Sequence, residues 1–254
     1  MAEVSVEVCA STLRDVAVAM EAGADRVELC SVWSVGGITP NVVVVESAAA
    51  MGMPARALIR PREGHFVFSA SERTWSVEEA KVMMDCGAER VVVGALTADG
   101  RLDEAYLEAM CDAVGPEALV WHRAIDVSVD PDADVQTLLR AGVTSLLSSG
   151  GCARAVEGAA RLKAWADMGM AVVAGGGVRA ADVAELARVG VEAVHASCRT
   201  TVREEGSPLF DSATHPVDFE LVDALGVLVE YDRKLVVRLD ERVKRLVLGL
   251  LAVL

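Results

Sequence analysis

The stretch Ala118–Asp126, ALVWHRAID, runs from apolar residues of strand character straight into His122, Arg123 and Asp126. An interior strand does not carry an imidazole, a guanidinium and a carboxylate at one end unless something there uses them. Histidine titrates near neutral pH and suits general acid/base work. Arginine offers a planar fork to a carboxylate or phosphate. Asp126 is placed to orient the imidazole or to bind a substrate hydroxyl. His195 closes another apolar run, with Ser197 next on its side, in a chain that has only 4 histidines.

Two carboxylates, Glu7 and Glu28, interrupt apolar alternation. Charged groups inside a fold are costly unless paired, and Arg60 and His122 are the expected partners in a polar ring. Such a ring reads either as a structural plug or as an acid/base pair with an arginine holding a developing negative oxygen. In Arg60-Pro61-Arg62, proline stiffens the backbone between two guanidinium groups, and Gly64–Trp75 follows as an expected lid with Phe66 and Phe68 beneath it. Ser148-Ser149-Gly150-Gly151, Gly175-Gly176-Gly177 and Ala196-Ser197 read as an anion cradle of backbone N–H groups and hydroxyls. Arg123 joins Arg60 and Arg62 as an anion-binding candidate.

These groups fall at the ends of repeated elements. Strands are expected at 4–9, 26–30, 55–60, 90–94, 119–122, 145–148, 170–174 and 193–195. Helices fit at 12–22, 44–51, 77–86, 104–114, 135–140, 156–168 and 180–188, with Asp103 as a helix cap. Gly23-Ala-Asp, Gly87-Ala-Glu, Gly142-Val-Thr and Gly190-Val-Glu punctuate four helix ends. Alternating strands and helices imply a parallel sheet. Eight strand ends carrying polar residues or glycines favour a closed (β/α)8 barrel of TIM type, whose strands all end at one mouth. The chain is read as one domain over 1–254.

Composition narrows the partners. With 254 residues, 53% of them hydrophobic, the chain can bury a large core. A formal charge of −14 argues against nucleic acid and anionic membranes. No apolar run has the length to span a bilayer, and the N-terminus has no signal-peptide pattern. Six scattered cysteines suit a reducing cytoplasm. The glycine-rich turns lack the dinucleotide fingerprint, and no Walker loop, HExxH or CxxC occurs, so no nucleotide cofactor is expected. The terminal apolar turn at 246–254 is a candidate packing or dimer surface.

The pieces LCSVWSVGGITPN, IRPREGHFVFS, VVVGALTADGRLD, WHRAIDVSVDP, SSGG, GGGVR and VHASCR resemble, in order, the CutC family, named for copper homeostasis. The resemblance covers about residues 3–200, with 201–254 less typical. It implies a TIM-type barrel, self-association as a homo-oligomer, most simply a dimer, and cytoplasmic copper handling, with Cys30 resembling the cysteine discussed there as a copper ligand. Cys9 and Cys30 would share a rim, one layer above Glu7 and Glu28, if strands one and two aligned in register. Paired thiolates suit Cu(I). Two functions stand open: copper binding at Cys30 and Cys9, or acid/base turnover of a small anionic molecule by Glu7, Glu28, His122, Asp126 and His195 between Arg60, Arg62, Arg123, Ser148, Gly150, Gly176, Gly177 and Ser197.

Overall fold

Strand alternation sends successive side chains to opposite faces of a sheet, and here it separates two buried clusters. The computed structural model describes residues 4–203 and 213–226. Strands β1 (Ser5–Ala10), β2 (Arg26–Leu29), β3 (Ala55–Leu58), β4 (Arg90–Val93), β5 (Leu119–Trp121), β6 (Ser145–Ser148), β7 (Ala171–Gly175) and β8 (Ala193–Ala196) close in chain order into an eight-stranded parallel barrel. Val6, Val8 and Ala10 of β1 pack with Val16 and Ala19 of the following helix in the outer core. Cys9, Leu58, Val92, Val120, Leu147 and Val173 fill the inside of the barrel.

The covering helices are α1 (Leu13–Glu21), α2 (Val42–Ala50), α3 (Ala70–Asp85), α4 (Glu104–Val114), α5 (Pro131–Arg140), α6 (Ala159–Asp167) and α7 (Val183–Arg188). Asp103 caps α4 by accepting from the Tyr106 N–H at 3.0 Å. Two helices start a full turn or more earlier than their apolar periodicity suggests. In α3 the Ser69 and Glu72 side chains satisfy each other's backbone N–H groups, so the helix begins at Ala70 and absorbs half of the expected lid. In α5, Asp130 caps a helix whose first residue is Pro131. The repeated turns work as expected, with Gly23 at φ 78° and Gly87 at φ 94°.

Beyond β8, β9 (Val202–Arg203) pairs antiparallel with β10 (Ala213–Thr214), and residues 219–226 are helical. The apolar turn at 246–254 and the helix expected from Asp240 onward lie outside the described residues. Among the described residues no helix is long and apolar enough to cross a membrane.

The barrel floor is ionic. Glu7 is 1% exposed; its Oε2 accepts from Arg26 Nε at 2.6 Å and Arg56 Nη1 at 2.9 Å, and its Oε1 meets His195 Nδ1 at 2.8 Å. Arg26 continues to Glu192 at 3.1 and 3.2 Å. Burial alone would raise the Glu7 carboxyl, but the His195 hydrogen bond and the Arg56, His195 and Arg26 charges hold it well below the ordinary carboxylate range. A carboxyl depressed in the folded state stabilises the fold above its unfolded pKa, and that stability is lost as pH falls. Glu7→Gln takes a buried anion from both Arg56 and Arg26, leaving Arg26 only its contact with Glu192, an expected loss of about 3–5 kcal/mol at pH 7 by urea denaturation. The gap between variant and parent should shrink below about pH 4, where an unfolded glutamate takes up its proton. Equal urea midpoints at pH 7 would contradict this role.

Candidate functional site

A cavity of about 230 Å³ opens at the C-terminal ends of the strands. It is lined by Cys9 and Glu28 from β1 and β2, Trp33 and Gly36 from the loop after β2, Leu58, Arg60 and Phe66 around the end of β3, His122 and Arg123 after β5, Leu147 from β6, Gly176–Val178 after β7, and His195–Ser197 at β8. Nine predicted site residues from distant parts of the chain thus meet at one wall or another: Cys9, Glu28, Arg60, His122, Arg123, Gly176, Gly177, His195 and Ser197.

Arg60 knits two loops together. Its Nη1 donates to the carbonyls of Val35 (3.1 Å) and Gly37 (2.8 Å), its Nη2 donates to that of Gly64 (2.8 Å), and its guanidinium lies 5.0 Å from the Phe66 ring centroid. The Val35 and Gly37 carbonyls belong to a loop closed by reciprocal main-chain bonds between Ser31 and Ile38 at 2.9 Å, with Val32 held at φ 47°, a conformation a β-branched residue rarely takes. Arg60 is 6% exposed, and these bonds all go to neutral carbonyls, so dipoles solvate its charge without neutralising it. Arg62 does not line the cavity. It binds Glu72 at 2.6 Å and the carbonyls of Glu63, His65 and Val67, shaping the loop after β3 from outside.

One wall is a proton-holding pair. His195 Nδ1 is engaged by Glu7, which leaves its Nε2 facing Glu28 Oε2 at 3.7 Å. Burial works against a charged His195, but Glu28 and Glu7 outweigh it and raise its pKa above the ordinary histidine value. Burial likewise raises the Glu28 carboxyl, against the pull of His195. The expected partners of the two glutamates were Arg60 and His122; Arg26 and Arg56 take that place for Glu7. Both arginines point into the same interior as the glutamates, two residues before Glu28 and Leu58, and alternation through Arg26, Glu28 and Cys30 was the signal for the first of them.

The expected register also changes. Cys9 is level with Glu28, and Glu7 with Arg26 and His195, because closing eight tilted strands staggers each against its neighbour. Cys30 therefore stands one interior layer above Cys9. The thiols still meet diagonally, with Sγ atoms 3.4 Å apart. Their hydrogen bond pushes Cys9 well above and Cys30 below the ordinary thiol range. Donor atoms of Cys9, Glu28 and His195 lie within 4.8 Å of one another, so this wall could hold an ion on mixed sulfur, oxygen and nitrogen ligands.

The opposite wall is His122, which is 4% exposed. Its Nδ1 accepts from the Ala124 N–H at 3.2 Å, capping the 3₁₀ turn Arg123–Val127. Burial and the Arg60 charge push its pKa down to about 3, so the ring is neutral at physiological pH. Phe66 covers one side of it, with centroids 5.0 Å apart. Gly94 leaves room for its Nδ1–Cε1 edge, since a Cβ there would lie 2.4 Å from Nδ1. Gly94 ended an expected strand, but nothing in the sequence reveals that its missing side chain makes room for a ring.

The loops of the later strands divide. Asp126 does not bond to His122. It accepts from the Ser148 and Ser149 hydroxyls, from the Ser149 and Gly151 N–H groups at 3.1 Å, and from Arg123 Nε at 2.8 Å. Ser148 Oγ in turn accepts from the Gly150 N–H at 2.8 Å. The protein's own carboxylate therefore occupies the Ser148–Gly151 half of the expected anion cradle. Gly176, Gly177 and Ser197 line the open half, beside the exposed Arg123.

A model of the CutC family matches residues 4–200. A curated relative from Chromobacterium violaceum, a family protein CutC, is 39% identical over 202 residues, covering 78% of this chain and 82% of its own. A relative of the same name from Xylella fastidiosa is 38% identical over 204 residues, covering 78% and 76%. A solved structure from Streptococcus agalactiae, whose name joins CutC to copper homeostasis, is similar with a TM-score of 0.70 at 29% identity, covering 76% of this chain and 98% of its own.

Gly94→Ala places a methyl group against the His122 ring. The expected cost is about 1–3 kcal/mol in urea denaturation, the range for an overpacked interior, with displaced His122 ring signals in NMR. Unchanged stability and unchanged ring signals would show that the ring is not held between Gly94 and Phe66.

Proposed function

This chain belongs to the CutC family, and we propose that within it the barrel mouth is an active site for a small anionic molecule, with Glu28 and His195 as its proton-transfer pair. The single observation that carries the reading is the buried Arg60, whose charge is met by carbonyl dipoles and, among the described residues, by no carboxylate hydrogen-bond partner. An anion entering the cavity would gain that charge in a partly dry site, where it counts for more than in water. Arg123 at the rim and the N–H groups around Gly176, Gly177 and Ser197 give the same anion donors on a second side.

In the same cavity, the Glu28–His195 pair has the properties of acid/base machinery. A buried glutamate with a raised pKa is a stronger base than one in water, and the neighbouring imidazolium supplies or stores the proton. Glu7 sits behind His195 and is not itself a lining residue of the cavity, so its task is to position the ring. The free state of all six cysteines in the described residues suits a reducing cytoplasm.

A second reading, cytoplasmic copper handling, is favoured by one observation, the 3.4 Å approach of the Cys9 and Cys30 thiols. Two thiolates suit Cu(I), which would arrive as cargo. It gives no task to Arg60, His122 or Arg123.

The two readings separate by experiment. A thermal-shift screen of small carboxylates and phosphate esters is expected to stabilise the protein, with the shift lost in Arg123→Ala and kept in Cys30→Ser. Turnover of a compound so identified should fall about 10²–10⁴-fold in Glu28→Gln, the range for loss of a general base. If no compound shifts the transition while one Cu(I) binds anaerobically and is lost in Cys30→Ser, the copper reading replaces the first.

A further inference from the structure

We infer that His122 donates a hydrogen bond from Nε2 to the carbonyl oxygen of the substrate, which makes the mouth a site for proton abstraction from carbon beside a carbonyl group. This rests on the reading of the mouth as a small-molecule active site and names the substrate class and reaction within it.

The tautomer follows from the backbone. The Ala124 N–H points at Nδ1, so Nδ1 carries no proton, and a neutral imidazole then has its hydrogen on Nε2. That Nε2 is buried and has no hydrogen-bond partner among the described residues. A buried donor left unpaired is costly, and in native proteins such groups are rare. The Ala124 N–H fixes Nδ1, and Phe66 and Gly94 pack against the ring, which restrains it from turning to another partner. His122 lines the cavity, so the acceptor it lacks is one that a ligand brings.

Its position decides which part of the ligand that is. In the closed ring of strands, β5 stands opposite β1, with β2 and β8 on either side of β1. A small molecule between them meets His122 on one side and Glu28 and His195 on the other. A neutral donor does not bind a resting anion as strongly as an arginine does, but it strengthens as charge grows on the oxygen it touches. Arg60 lines the same cavity, and its charge, hydrogen-bonded only to carbonyls among the described residues, favours that growth. The substrate is thus a small carbonyl compound that also carries an anionic group for Arg123 and the Gly176–Gly177 turn.

The step is balanced without a redox partner. The Glu28 carboxylate takes the proton from the carbon next to the carbonyl. The electron pair of that C–H bond forms the new C=C bond, and the carbonyl π pair moves onto oxygen as an enolate held by the His122 N–H. Return of the proton, to the same carbon or a neighbouring one, completes exchange or isomerisation.

Oxalate, a planar dianion that imitates the enolate of a 2-oxo acid, is the probe. In ¹⁵N-histidine-labelled protein, long-range ¹H–¹⁵N spectra should show His122 as the Nε2–H tautomer from pH 8 to pH 5, and oxalate should move its Nε2–H proton downfield. Affinity should fall about 10- to 100-fold in His122→Leu, as for a lost hydrogen bond to a charged acceptor, and recover in His122→Gln, whose amide can accept from Ala124 and donate to the ligand. An Nδ1–H tautomer, a charged ring at pH 6, or no oxalate binding overturns the inference, and these measurements on the unmodified protein stand even where a variant fails to fold. Oxalate bound with the His122 signal unmoved and lost in Arg123→Ala overturns this inference while leaving the anion-binding active site intact. Failure of every anion to bind removes both.

Discussion

One buried carboxylate organises this barrel. Glu7 brings together Arg26 on β2, Arg56 on β3 and His195 on β8, so a single side chain on β1 ties four of the eight strands at the floor. A barrel interior filled only with valine and leucine would close as well, and replacing such ion pairs with apolar groups is often neutral or stabilising. What the ionic floor provides is direction. By holding Nδ1, Glu7 turns the other nitrogen of His195 toward Glu28 and the mouth, in the way a carboxylate fixes the tautomer and orientation of a working histidine.

The mouth above that floor is asymmetric. On the β1–β2–β8 side, Glu28 and His195 both hold protons more tightly than they would in water. On the β5 side, His122 is kept neutral by burial and by Arg60. Two histidines in one small cavity are thus pushed in opposite directions, a separation of pKa values that distinguishes a proton carrier from a neutral donor. Their stability linkages also oppose each other. His195, raised, stabilises the fold most at low pH and loses that contribution as pH rises through its folded pKa. His122, lowered, contributes fully above its unfolded value near 6.5 and loses that contribution as pH falls toward about 3.

The fold was legible because each strand, helix and glycine turn repeats a local pattern, and eight repeats leave few architectures. The polar strand ends were legible for the same reason: alternation assigns Glu7, Cys9, Glu28 and Cys30 to the interior. What alternation cannot give is stagger, and so Cys9 fell beside Glu28 where Cys30 was expected. Nor can it tell a ligand-binding cradle from one already filled, as Asp126 fills the Ser148–Gly151 loop. Arg62 reads like Arg60 in sequence, yet the capping box at Ser69 brings Glu72 to it and takes it out of the mouth. Gly94 acts through an absent side chain, which no spacing records.

The central claim is that Glu7 holds His195 protonated and aimed at Glu28. It is tested most directly by an NMR titration of the His195 ring in the unmodified protein and in Glu7→Gln. The account predicts that the His195 pKa lies above the ordinary histidine value near 6.5 in the first, and that it drops in the second, where burial persists and one of its two carboxylates is gone. A ring that is already neutral at pH 6.5 in the unmodified protein, or one whose titration is the same in both proteins, would contradict it.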